Sequence, residues 1–88
     1  MGIHDGHREK MRRRFLETGL EGFADHEALE LLLYYAIPQG DVNGLAHELV
    51  ERFGSLAGVL DAAEEELCRV PGVGQHTAVL LKLIPAAG

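Results

Sequence analysis

The chain of 88 residues has no tryptophan, one cysteine, three prolines and few residues that favour strands. Each shortage excludes something. One cysteine cannot close an internal disulfide, so packing alone must hold the fold. The longest apolar run, Leu31 to Ile37, is far below the ~18 residues that a membrane span takes. No charged opening followed by an apolar stretch marks a secretory leader. These readings lead to an expected cytoplasmic location without membrane contact. Period-2 alternation is missing and β-branched residues are sparse, which leaves helices as the regular structure. A chain of this length buries only roughly 60% of its unfolded surface, so a thin shared core leaves little room for a large catalytic cleft. Apolar residues still make up 47% and charged residues 25%, the profile of a folded domain rather than a disordered segment.

Positive charge is the other scarce commodity. The net charge is −6, and five of the eight basic residues (Arg8, Lys10, Arg12, Arg13 and Arg14) fall within one short segment. From Phe15 onward three basic residues stand against twelve acidic ones. An anionic partner is therefore expected at that segment or at isolated backbone sites, because the rest repels it.

Helical periodicity predicts a compact all-α bundle of five or six helices in one domain, 1–88. A basic helix spans Gly6 to Thr18, with Gly19 ending it in the left-handed region. After a connection from Leu20 to Ala24, Asp25 is placed to cap "HEALELLLYYA", which is apolar nearly all round and belongs at the centre. Pro38 and Gly40 stop it. Asp41 can cap the next helix, with Leu45, Ala46, Leu49, Val50 and Phe53 inward, and Gly54 closes it. Ser55 caps a short piece carrying Leu56, Val59 and Leu60. Ala63 to Val70 form another, with Glu64 to Glu66 favoured by the dipole of its first turn. Gln75 to Ile84 form the last.

An internal repeat organises these pieces. "LLLYYAIPQGDVNGLAHELV" and "EEELCRVPGVGQHTAVLLKL" each read as an apolar helix, a Pro/Gly turn and a helix with Ala-x-x-Leu, namely Ala46 and Leu49, then Ala78 and Leu81. The expected units are 1–19 (basic helix), 25–54 (first, degenerate hairpin), 55–62 (connector) and 63–84 (second hairpin), burying each other's apolar faces.

The second turn, "PGVG", carries chemistry. Pro71 fixes its own φ, while Gly72 and Gly74 allow angles and approach that a Cβ forbids, so N–H groups converge at a helix N-terminus and suit a phosphate oxygen. The bland alternative is that the glycines only let two helices cross tightly.

Leu67, Val70, Pro71, Gly72, Val73, Gly74, Ala78 and Leu81 resemble the helix-hairpin-helix motif of DNA-binding proteins. Over a longer span, "HDGHREKMRRRFLETGLEGFADHEALELLLYYAIPQGD", "LAHELVERFGSLAGVLDA" and "VPGVGQHTA" are similar to the N-terminal region of the bacterial RadC family, from His4 to about Ile84. The resemblance implies a tandem helix-hairpin-helix (SAM-like) domain of a DNA repair-associated protein. In that family it precedes a JAB/MPN-type metal-dependent peptidase-like domain, whose His-x-His and downstream Ser and Asp ligands have no counterpart here. Gln75, His76 and Thr77 follow the second glycine where Lys or Arg often stands in such motifs, so binding by the hairpin alone should be weak.

The expected function is sequence-independent DNA contact through Gly72, Val73, Gly74, Gln75 and His76, with charge from Lys82, Arg8, Lys10, Arg12, Arg13 and Arg14. The alternative is a docking or oligomerisation module using the outward Val79 and Leu83 to hold the downstream domain or a second copy. His4, His7 and Asp5 could approach a metal, but no further His or Cys completes the set; no metal, cofactor or enzymatic activity is expected. Cys68 reads as an inert, partly buried thiol, and Tyr34 and Tyr35 as core residues with hydroxyls at the surface.

Overall fold

A computed structural model describes the backbone of residues 3–88 and the side chains from residue 6 on. The helices are α1 (Ile3–Thr18), α2 (Asp25–Ala36), α3 (Asn43–Phe53), α4 (Leu56–Asp61), α5 (Glu64–Cys68) and α6 (Gln75–Ala87). No strand occurs among the described residues, so the chain is all-α as expected.

α2 is central. It packs against α1, α3, α4 and α6, which its sequence permits because apolar side chains cover most of its circumference. Leu29 and Leu33 lose all solvent contact, and Leu49, Leu67 and Leu81 join them from α3, α5 and α6. The repeat is visible in burial: Ala46 and Ala78, and likewise Leu49 and Leu81, are all completely enclosed. In the regions of the two expected units α2 packs on α3 and α5 packs on α6, and α4 packs on α3 and α6. Complete enclosure of alanine at the equivalent site in both units is the physical content of Ala-x-x-Leu, since a larger residue would separate the helices.

Helix ends depart instructively from expectation. Gly19 and Gly54 take the left-handed angles assigned to them, and Ser55 Oγ accepts from Gly58 N at 3.0 Å. Asp25, expected to cap α2, lies inside it. Its carboxylate instead accepts the Leu56 N–H at 2.9 Å, capping α4 from another helix. The α2 start is held by Glu27, which accepts the Ala24 N–H at 2.9 Å, the return half of a capping box. α5 is shorter than expected, and α6 runs through Pro85 to Ala87. Proline is tolerated in that last turn because only one intrahelical bond is lost there.

Candidate functional site

The second turn sits between α5 and α6. Gly72 has φ +99°, an angle that favours glycine, and an added Cβ would lie 3.5 Å from Leu45 on α3. Val73 is buried and donates its N–H back to Val70 O at 3.0 Å, so this amide, expected to face a phosphate, is used inside the turn. Gly74 is different. Its backbone is extended, and a Cβ there would meet nothing within 4 Å. Nothing in the chain itself requires glycine at that position.

Gly74 is the N-cap of α6 and no side chain caps the helix. The first bond into the helix is Ala78 N to Gly74 O at 3.0 Å. The N–H groups of Gln75, His76 and Thr77 therefore have no partner among the described residues. Gly72, Gly74, Gln75 and His76 are exposed. Gln75 and His76 present their N–H groups from exposed residues, while Thr77 is buried, at the positive end of a 13-residue helix that suits an oxyanion.

The first turn also carries a glycine at positive φ, but its helix begins from a cap residue of different conformation. Gly40 has φ +92°, and Val42, at the N-cap of α3, is buried. Here the Asp41 carboxylate accepts the Asn43 N–H at 2.8 Å, while Gly40 O accepts from Arg8 at 2.8 Å. A carboxylate of the chain itself already occupies the anion position.

The basic residues separate into spent and free. Arg8, expected to meet phosphate, is only 7% exposed. Its guanidinium donates to Tyr34 O at 3.2 Å and Gly40 O at 2.8 Å and lies 4.4 Å from the Tyr34 ring centre. It clamps α1 to the orphan carbonyls at the end of α2. Arg14 donates to both Glu27 oxygens and to Gly22 O and stacks 4.0 Å from the Phe23 ring. The hydrogen bond from Arg14, with the Ala24 N–H second, lowers the Glu27 carboxyl to about 2. Lys82 donates to Leu60 O at 3.2 Å and Ala62 O at 2.8 Å, at the end of α4. None of these three is left to meet an outside anion.

Arg12 and Arg13 share Glu9 at 3.3 and 3.7 Å, and Lys10 is exposed. Arg12 lines a groove with Ile84, nine residues beyond Gln75 on α6, a distance of about 13 Å along the axis. The basic segment thus neighbours the far end of the helix that begins at the second turn. The cation beside that turn is Arg69, exposed at the C-cap of α5 and in no ion pair among the described residues. Sequence reading passed it over because it stands alone in an acidic stretch. Its signal was its place three positions before Gly72.

Other expectations fare unevenly. Tyr34 is buried to its hydroxyl, which has no hydrogen-bond partner among the described residues. Burial first, and the Glu30 carboxylate second, push that hydroxyl up to about 12. Tyr35, by contrast, is exposed and outside the core. Cys68 is exposed rather than partly buried. Val79 and Leu83 do face outward. His7 lies 3.6 Å from the buried Glu30, while the side chains of His4 and Asp5 lie outside the described residues. No group of three metal-binding side chains is gathered among the described residues, and none of their helices is long and apolar enough to cross a membrane.

A family model described as UPF0758 N-terminal matches residues 5–79. The chain is 42% identical over 81 residues to UPF0758 protein FN0909 of Fusobacterium nucleatum, a match covering 92% of this chain and 35% of that protein. It thus spans about a third of the length of that curated relative. No solved structure matches it.

Proposed function

The chain belongs to the UPF0758 (RadC) family, matching its N-terminal region, and from that premise we propose that it is a non-catalytic, sequence-independent DNA-contacting module of the helix-hairpin-helix kind. The carrying observation is the N-terminus of α6, which no side chain caps among the described residues, whose first N–H groups have no partner among them, and whose cap residue Gly74 faces open space. A phosphate oxygen would accept from Gln75, His76 and Thr77, and Arg69 would add one charge-assisted contact. Contact with the backbone alone carries no base information.

The charge distribution sets the strength. Glu64, Glu65 and Glu66 are exposed on the helix before the turn, and three of the expected cations are engaged elsewhere. Binding should be weak, with log K falling against log salt with a slope of about −1, where five free cations would give about −4.5. Titration of a labelled duplex at several salt concentrations tests both numbers. Gly74→Val should abolish binding without loss of helicity, and Arg69→Ala should flatten the slope. Wild-type protein that binds no duplex at low salt, or Gly74→Val protein that binds as before, overturns the reading.

A second reading has its own observation. Val79 and Leu83 remain half exposed and border, with Glu64, Ala78 and Lys82, a concavity of about 260 Å³. Docking of the remainder of a longer family protein on this face predicts that Val79→Asp with Leu83→Asp breaks that association while DNA binding persists.

A further inference from the structure

An apolar concavity lies away from both turns. A groove of about 390 Å³ runs between the second half of α1 and the surfaces of α2, α4 and α6, with Phe15, Leu20, Tyr35, Leu60 and Ile84 among its walls. Among the described residues the only charged side chain on it is Arg12. Leu16 stands at its lip, 82% exposed, and Leu20 is half exposed beside it. A soluble surface seldom leaves an apolar cleft and adjoining leucines in water together.

The groove exists because α1 packs mainly on α2. Met11 reaches the core while Phe15 and Leu16, one turn later, do not. Ile84, near the end of the last helix, remains partly exposed as part of the opposite wall.

We infer that a second copy of this chain covers the groove, with α1 of each protomer antiparallel across a two-fold axis near Leu16. The leucines of one lip then enter the cleft of the other, and the same patch serves both partners, as an isologous interface requires. Charge along α1 selects this occupant and this direction. On this helix Lys10, Arg12 and Arg13 lie before Leu16 and Glu17 follows it, with Glu21 in the turn beyond its end. Glu9 alone offsets the two arginines within the protomer. A parallel pairing would set like charges together, whereas the antiparallel one sets Arg13 of each protomer against Glu17 of the other. Neither the second turn nor the Val79 and Leu83 face takes part, so the inference stands apart from the readings above.

Sedimentation of the chain from micromolar to millimolar concentration, under reductant to keep Cys68 from cross-linking, is the test. The mass should rise toward twice 9.6 kDa. Leu16→Glu, at a site too exposed to matter for folding, should hold it at the single mass with unchanged circular dichroism. Arg13→Glu and Glu17→Arg should each weaken self-association, and mixing the two should restore it as a heterodimer, because every cross-axis pair is then opposite in sign. A single mass at every concentration overturns the inference and gives the groove to another chain. So does a dimer that survives Leu16→Glu, or a mixture of the two charge variants that associates no better than either alone.

Discussion

The two turns of this protein share a glycine at positive φ and differ in how the next helix begins: Val42 at the cap of α3 has ψ 6°, whereas Gly74 at the cap of α6 is extended with ψ −173°. Gly40 and Gly72 take nearly the same left-handed angle, at +92° and +99°, and each precedes a helix whose second-turn alanine is fully buried. At the first turn the chain supplies its own anion, Asp41, to the helix N-terminus, and Arg8 closes over the Gly40 carbonyl. At the second turn neither is present; an exposed glycine stands at the cap and three amides are unmatched. The comparison teaches that one scaffold can be closed for stability or left open for a ligand by a few side chains at the cap.

The largest expected effect comes from opening the closed turn. Arg8→Ala removes two hydrogen bonds from a buried guanidinium and orphans the Tyr34 and Gly40 carbonyls, so stability should fall by about 2–4 kcal/mol in urea unfolding. DNA binding, if α1 plays no part in it, should be unchanged at temperatures where the variant is folded.

Closing the open turn should do the reverse. Gly74 already has extended geometry at the N-cap, so Gly74→Asp would place a carboxylate on the first N–H groups of α6. A carboxylate in place of glycine gains a few tenths of a kcal/mol from the cap, and up to about 1 kcal/mol more from the helix dipole. Duplex binding should vanish. A variant that is more stable yet no longer binds is an outcome that general misfolding cannot mimic.

Asp41→Ala should cost about 1 kcal/mol by loss of the hydrogen bond it accepts from the Asn43 N–H and add measurable affinity for phosphate at the first turn, read from amide shifts of Asn43 and Gly44. Smaller still is the effect of the Arg14 and Glu27 pair, which fastens α1 beside the first unit. The Glu27 carboxyl is lowered from 4.5 to about 2 in the folded state. Its contribution is therefore present above pH 4.5 and is lost as pH falls toward 2. The difference in melting temperature between wild type and Glu27→Gln should be constant near neutrality and close across that acid window.

How far the sequence could be read follows from the same comparison. The α2 core, the inward Ala46, Leu49, Ala78 and Leu81, and the glycine stops all follow from periodicity and from which angles a Cβ forbids. Destinations of charged side chains do not. Arg8, Arg14 and Lys82 read as a phosphate-binding set because they are cations, yet each satisfies carbonyls at a helix end or loop. Asp25 serves a helix 31 residues away. Orphan groups at helix ends acquire positions only when the helices have packed, so their partners have no local signature. The groove was hidden for a related reason, since Phe15 and Leu16 look like ordinary core residues until α1 is seen to lean on one neighbour.

Amide chemical shifts during titration with a short duplex at low salt address the central claim most directly. The account predicts that the signals of Gly74, Gln75, His76 and Thr77 move together and saturate, that Arg69 follows, and that Asn43 to Leu45 stay in place. Shifts confined to α1, equal shifts at both turns, or none at the second turn would contradict it.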